Sequence, residues 1–287
     1  MSIIGAGVQT YEYTRKNVRF HVDSLGGKIL QVEVDNIPLL HYDPQDIKHS
    51  GIPLCLPFFG PLSTGKLPLD GKEYPLGQHG FFRDCEFTIT EEKQCLLCTL
   101  NASEETLRMY PYDFTFIAHY EPIPHGIKMT FYLTNRDTKV MEIAPGVHPY
   151  LRVEDPEAVY ITTDADHGNN SKKAFNTVSL ADCDDIDVVE HRPTHRTIRI
   201  AKTPDLHLIG HGLEHTTITP GTDAYTLQLS ADMKKFNRMT IWRDTIDAPY
   251  ICVEPAFEED ALLTHEAIKL HPKETFTTTV ILKKNQS

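Results

Sequence analysis

The sequence predicts an all-β protein of antiparallel strands. Apolar and polar residues alternate with period two along much of its length, glycine and proline break it at short intervals, and no long segment has apolar residues at helical spacing. Successive strand side chains point to opposite faces, so alternation marks strands with one buried face. In order, Leu30, Val32 and Val34 alternate with Gln31 and Glu33 within Lys28–Val34, and Lys93–Leu100 reads as a strand. Phe114, Phe116, Ala118 and Tyr120 then alternate with Thr115, Ile117 and His119. The same pattern recurs at Ile127, Met129, Phe131 and Leu133, at Tyr225, Leu227 and Leu229, and at Phe276, Thr278, Val280 and Leu282. With 19 prolines and 16 glycines as boundaries, these runs carry the signature of hairpins and sandwiches. Asp164 to Asp187 reads as a solvated loop, because its aspartates lack the glycine and terminal glutamate of a calcium loop. No linker, low-complexity run or short repeat divides the chain, and one domain over residues 1–287 is expected.

At 287 residues and 40% hydrophobic content, the chain can bury a large core. No apolar run approaches the ~20 residues that span a bilayer, so no membrane partner is expected. Met1–Gly7 lacks the basic region and cleavage site of a secretory signal, and the expectation is a soluble, cytoplasmic protein. Forty acidic against 28 basic residues give a net charge of −12. That argues against nucleic acid, whose binding rests on a basic footprint. It leaves room for a small anion, which needs only local cations.

Several attractive patterns carry no chemistry. The six cysteines read as reduced thiols. Cys95 and Cys98 are three apart on a strand, which turns their sulfurs to opposite faces, and no second pair completes a metal site. His207, His211 and His215 would stack on a helix, but Gly210 and Gly212 argue against one. Gly5-Ala-Gly7 follows no strand and has Thr10 in the place of the third glycine of a dinucleotide loop. Neither a metal nor a cofactor is expected.

Four segments do carry chemistry. Ser50–Pro61 holds three prolines and two glycines, and reads as a rigid wall or loop. His79-Gly-Phe-Phe-Arg83 gathers a histidine and an arginine around two aromatics. His148 stands before Pro149, which pushes it toward an extended backbone. It is either a proton donor and acceptor near neutral pH or a satisfied core histidine. Glu254 ends the apolar run of Tyr250–Val253, where a carboxylate is costly unless it is paired or functional. An ion pair with a buried arginine is the alternative.

In order, Gly51-Ile-Pro53 with Pro57-Phe-Phe-Gly60, then His79-Gly-Phe-Phe-Arg83, His148-Pro-Tyr150 and Val253-Glu-Pro255 resemble the motifs of the aldose 1-epimerase (mutarotase) family. The likeness is to its branch that includes the hexose-6-phosphate 1-epimerases. The resemblance implies a galactose mutarotase-like β-supersandwich and a cofactor-free isomerase that interconverts the α and β anomers of a sugar. Under it, Glu254 is the base on the C1 hydroxyl and His148 the acid at the ring oxygen, on opposite sides of C1. His79 and Arg83 match positions that hold hydroxyls or a phosphate, and Asp223 matches an aspartate that binds ring hydroxyls. Trp242 and Phe59 are candidates for a flat apolar face. The expected partner is a sugar or sugar phosphate, and the chain a monomer or weak homodimer.

One departure bears on the substrate. Sugar-phosphate members usually carry an arginine two residues before the Gly-Ile-Pro element, where this chain has His49, with Lys48 beside it. Histidine is mostly neutral at pH 7 and lacks the fork that grips phosphate. The reading therefore favours a free hexose, with the 6-phosphate second. Two other classes remain: a glycoside hydrolase or lyase, for which Glu254 lacks an evident second carboxylate, and a binding module that only hydrogen-bonds hydroxyls.

Overall fold

The alternating runs form strands in the computed structural model, which describes residues 9–173 and 176–286. Met1–Gly7, and with it Gly5-Ala-Gly7, lies outside them. Phe114–Ile123 buries every second residue and pairs along its length with Gly126–Asn135, which pairs in turn with Thr275–Gln286. These three lie within a ten-stranded sheet. Its order runs from Ile186–His191 through Arg196–Ile200, Val159–Thr163, His215–Pro220 and Tyr225–Ala231 to Thr275–Gln286. It continues through Gly126–Asn135, Phe114–Ile123 and Cys95–Asn101 to Thr88–Glu92.

A second sheet has eight strands. Asn176–Ser179, His167–Asn170, Asp205–Ile209, Arg238–Trp242, Tyr250–Ala256, Gly146–Val147 and Leu54–Cys55 follow one another. Tyr150–Arg152 pairs the first half of Tyr250–Ala256. The N-terminal strands Thr10–Arg15, Val18–Asp23, Ile29–Val34 and Ile37–Pro38 make a third, four-stranded sheet. The ladders between strands are antiparallel, and the helices are short, as in Glu104–Met109 and Ala261–Thr264. One apolar cluster takes Phe20 and Val32 from the third sheet, Leu206, Ile241 and Val253 from the second, and Phe116 and Leu229 from the first. This is the antiparallel all-β architecture that the alternation predicts. From the shared core we infer one domain. Among the described residues, no helix is long and apolar enough to cross a membrane.

Asp164 to Asp187 departs from the loop expected of it. Within it, His167–Asn170 and Asn176–Ser179 form a hairpin on the outer side of the eight-stranded sheet. Their pairing is through the backbone, and with mostly polar side chains they show no apolar alternation to read. The spaced histidines form no helix. His207 lies within Asp205–Ile209, and His215 is exposed at a strand start. His211 is buried, with its two ring nitrogens each 2.9 Å from the hydroxyls of Thr163 and Thr216.

The core also fixes the site. Phe82 is 1% exposed, and its ring stacks on Phe114 at 5.2 Å and meets Phe116 edge-on at 5.2 Å. It opens the short 3₁₀ turn Phe82–Asp84, so the same anchor that ties this turn to the ten-stranded sheet holds Arg83. Phe82→Ala leaves a large void between rings that have no means to close it. Such a change is expected to cost about 3–5 kcal/mol of unfolding free energy, measured by urea denaturation.

Candidate active site

Strand periodicity places one row of polar groups after another on the same face of the eight-stranded sheet. His207 pairs with Thr240, and Thr240 with Glu254; one step along, Asp205 pairs with Trp242, Trp242 with Cys252 and Cys252 with Tyr150. Residues two apart on a strand share a face, so both rows belong to one surface. The residues between them, Leu206, Ile241 and Val253, turn the other way into the core. Asp205, His207, Thr240, Trp242, Glu254 and Tyr150 line a cavity of about 290 Å³.

His148 enters from between two short strands. Its backbone N–H donates to the Pro53 carbonyl at 3.1 Å, and Tyr150 N–H donates to Gly51 O at 2.9 Å. The Gly-Ile-Pro and His-Pro-Tyr motifs are thus bound to each other through their backbones. The imidazole stacks on Tyr150, with ring centres 4.7 Å apart, and stands edge-on to His79 at 5.3 Å. Its Nε2 lies 3.4 Å from Glu254 Oε1. Glu254 is 1% exposed, and among the described residues no arginine pairs with it.

Burial sets the charge state of this pair. It pushes the Glu254 carboxyl well above the usual carboxylate range, helped by the negative charges of Asp205 and Glu259. It pushes His148 well below the usual imidazole range, helped by His79. Both side chains are therefore neutral, with the proton on Glu254. His148 Nδ1 and Glu254 Oε1 are buried without a hydrogen-bond partner among the described residues.

His79 is neutral for related reasons. Its pKa falls to about 3 through burial and the nearby charges of Arg83 and Lys48. Gly60 N–H donates to its Nδ1 at 3.0 Å, which leaves Nε2–H as the ring's donor. The next residue must be glycine: Gly80 has φ +70°, and a Cβ there would overlap the Leu56 carbonyl. Arg83 donates to the Gln78 carbonyl at 2.7 Å and, like the exposed Lys48, lines the cavity with no carboxylate partner among the described residues. His49 also lines it, but its Nδ1 is held by Asp46 Oδ2 at 2.7 Å. A second cavity of about 270 Å³ lies alongside, sharing Lys48, Arg83, His148 and Tyr150 and adding Lys28. Phe59 and Trp242 both face the main cavity.

Asp223 is elsewhere. It is exposed in the turn before Tyr225 and is absent from the cavity lining. The aspartate in the cavity is Asp205, whose Oδ1 is 3.6 Å from His207 Nε2. Burial pushes its carboxyl up, but hydrogen bonds from His207 and Ser171 prevail and hold it below the ordinary value. The signal for it was present: in Asp205-Leu-His-Leu208 two polar residues alternate with two leucines, the mark of a polar face on a buried strand. Glu259 had no such signal, because Glu258-Glu-Asp260 reads as a solvated run. His148, Cys252 and Glu254 have donor atoms within 4.8 Å of one another. Burial keeps the Cys252 thiol protonated, which makes it a poor metal ligand.

The sequence profile of the aldose 1-epimerase family matches residues 45–283. A curated relative from Escherichia coli K12, "Putative glucose-6-phosphate 1-epimerase", is 28% identical over 117 residues, 39% of this chain; the match spans only 35% of that relative's length. The Slr1438 protein from Synechocystis sp. PCC 6803 superposes with a TM-score of 0.85 at 18% identity, covering 100% of this chain and 99% of its own. A galactose mutarotase related enzyme from Lactobacillus acidophilus gives 0.82 at 19% identity, covering 97% and 98%. These two structures establish the fold, and the profile, over most of the length, the lineage: the chain belongs to the aldose 1-epimerase family.

Proposed function

We propose that this protein interconverts the α and β anomers of a hexose, with His148 and Glu254 as its acid–base pair. The observation that carries the reading is the buried contact between them, His148 Nε2 standing 3.4 Å from Glu254 Oε1, with His148 Nδ1 lacking a hydrogen-bond partner among the described residues. Ring opening removes a proton from the C1 hydroxyl and delivers one to the ring oxygen. Both oxygens are bonded to C1, so an acid and a base that serve them must stand side by side.

A pair with one proton can do this without net exchange. The resting proton passes to His148, Glu254 takes the C1 proton as carboxylate, and the His148 imidazolium gives its proton to the ring oxygen. The open aldehyde rotates about C1–C2, and the same steps run backward on its other face. Neutral His79, with its Nε2–H, supports a role in holding a hydroxyl. Trp242 and Phe59 offer apolar surface to the sugar ring.

A second reading concerns the 6-phosphate, and one observation favours it. In a chain of net charge −12, Lys48 and Arg83 line the cavity without carboxylate partners among the described residues. His49, tied to Asp46, is unsuited to replace the missing arginine, so these two would carry the anion.

His148→Ala and Glu254→Gln are each expected to lower kcat about 100- to 10,000-fold with the fold retained. Polarimetry on fresh α-D-glucose and circular dichroism check this, and near-normal turnover in both variants would falsify the mechanism. The pair holds one proton between the depressed value of His148 and the raised value of Glu254. The pH–rate profile should therefore be flat through neutrality, falling in acid as His148 gains a proton and in alkali as Glu254 loses its own. If the phosphate reading holds, Arg83→Gln should raise KM for glucose 6-phosphate about tenfold or more relative to glucose, as expected for a charged hydrogen bond of about 1.5–3 kcal/mol. An unchanged ratio removes Arg83 from phosphate binding.

A further inference from the structure

The cavity contains a carboxylate that the mechanism above does not use. Glu259 follows the strand of Glu254 and lines the same pocket. Its side chain lies against the bare Cα of Gly60, at φ +75°, where an added Cβ would overlap the carboxylate and stand 2.6 Å from its Cδ. Its Oε1 is 4.0 Å from His207 Nε2, and His207 is held at Nδ1, 2.9 Å from Thr240 Oγ1. Thr240 is the direct cross-strand neighbour of Glu254. A glycine seat on one side and a fixed histidine on the other leave this carboxylate a defined position in a pocket that already contains Asp205 and Glu254.

We propose that Glu259 is a positioning residue that keeps the catalytic proton on the His148–Glu254 pair. The inference rests on the acid–base reading above. A negative charge near a buried carboxyl opposes its ionisation, and Glu259 and Asp205 both act on Glu254 in this sense. Asp205 remains ionised, as its hydrogen bonds require. Glu259 differs, because burial raises its own pKa to about 7, against the pull of His207. Its charge therefore appears only as the solution turns neutral to alkaline, where Glu254 would otherwise begin to lose its proton.

The other groups around Glu254 do not duplicate this effect. Cys55 and Cys252 are kept as thiols and Tyr150 as a phenol by burial. His79 stays neutral, and Arg83, which lines the same cavity, is a cation. Asp260, beside Glu259 in the chain, adds to the pressure on Glu259 itself.

This gives an asymmetric expectation. In Glu259→Gln the alkaline limb of the kcat profile should move to lower pH by about one unit, the scale of a single nearby charge. The acid limb should stay in place, because Glu259 is already protonated there. Glu259→Asp, which keeps the charge, should recover most of the shift. Carbon-13 NMR of labelled glutamate, with the Glu254 signal assigned by Glu254→Gln, should show the same fall in the Glu254 midpoint without substrate. An alkaline limb and a Glu254 midpoint unchanged in Glu259→Gln would overturn the proposal, as would equal movement of both limbs. The NMR midpoint moving in a protein that accelerates no sugar would uphold the coupling and sink the epimerase reading instead.

Discussion

The site depends on one constraint: an imidazole and a carboxyl in contact are placed where neither is stable as a lone ion. A carboxylate taken out of water without a compensating charge loses several kcal/mol of solvation, and it responds by holding its proton. Glu254 does so on the middle of a fully buried strand, and His148 correspondingly gives its proton up. The proposed reaction needs one proton shared between them, and burial, with the charges of Asp205 and Glu259 around Glu254, favours that state. The unpartnered Nδ1 and Oε1 are then understandable. A buried polar atom left open in a folded protein calls for a reason, and a ligand that brings hydroxyls is one.

The fold meets this constraint with a sheet and two loops. The sheet supplies regularity: its two-residue period puts Glu254, Thr240 and His207 in one row and Asp205, Trp242 and Cys252 in the next. The loops supply what a strand does not, a histidine set beside a strand residue rather than across from it. Pro53 O accepts from His148 N–H, and Gly60 N–H donates to His79. Much of the motif sequence therefore serves the backbone. Glycines and prolines outnumber the reacting groups because two side chains must be held by loops that cannot shift. The charges divide in the same way, with Lys48 and Arg83 on the loop side and Asp205 and Glu259 on the strand side and beyond it.

Much of this was legible in the sequence, and the missing parts share a cause. Apolar alternation marks Phe114–Ile123 and Gly126–Asn135 because burial on one face writes itself into composition. His148, Glu254, His79 and Arg83 stand out because each is a polar residue among prolines, glycines or apolar neighbours, and the cavity brings all four together. The paired strands His167–Asn170 and Asn176–Ser179 read as a loop because backbone pairing needs no apolar side chains. The resemblance points to Asp223, while the alternation around Asp205 is the physical signal for the aspartate that lines the cavity. Glu259 left no trace at all. Its position depends on a glycine about two hundred residues earlier, and that is a property of the folded chain alone.

The same contact also limits what else the pocket can do. Hydrolysis of a glycoside would need one carboxyl to donate and a second to remain ionised across the bond. Here the carboxyl pressed hardest toward protonation, Glu254, contacts an imidazole, and the ionised Asp205 is bound to His207 and Ser171. A binding module would have no use for the pair at all, since hydroxyls are held as well by groups that cost less to bury. What the arrangement favours is a proton moved a short way and moved back. A reaction that begins and ends with the same sugar, differing only at C1, asks for nothing more.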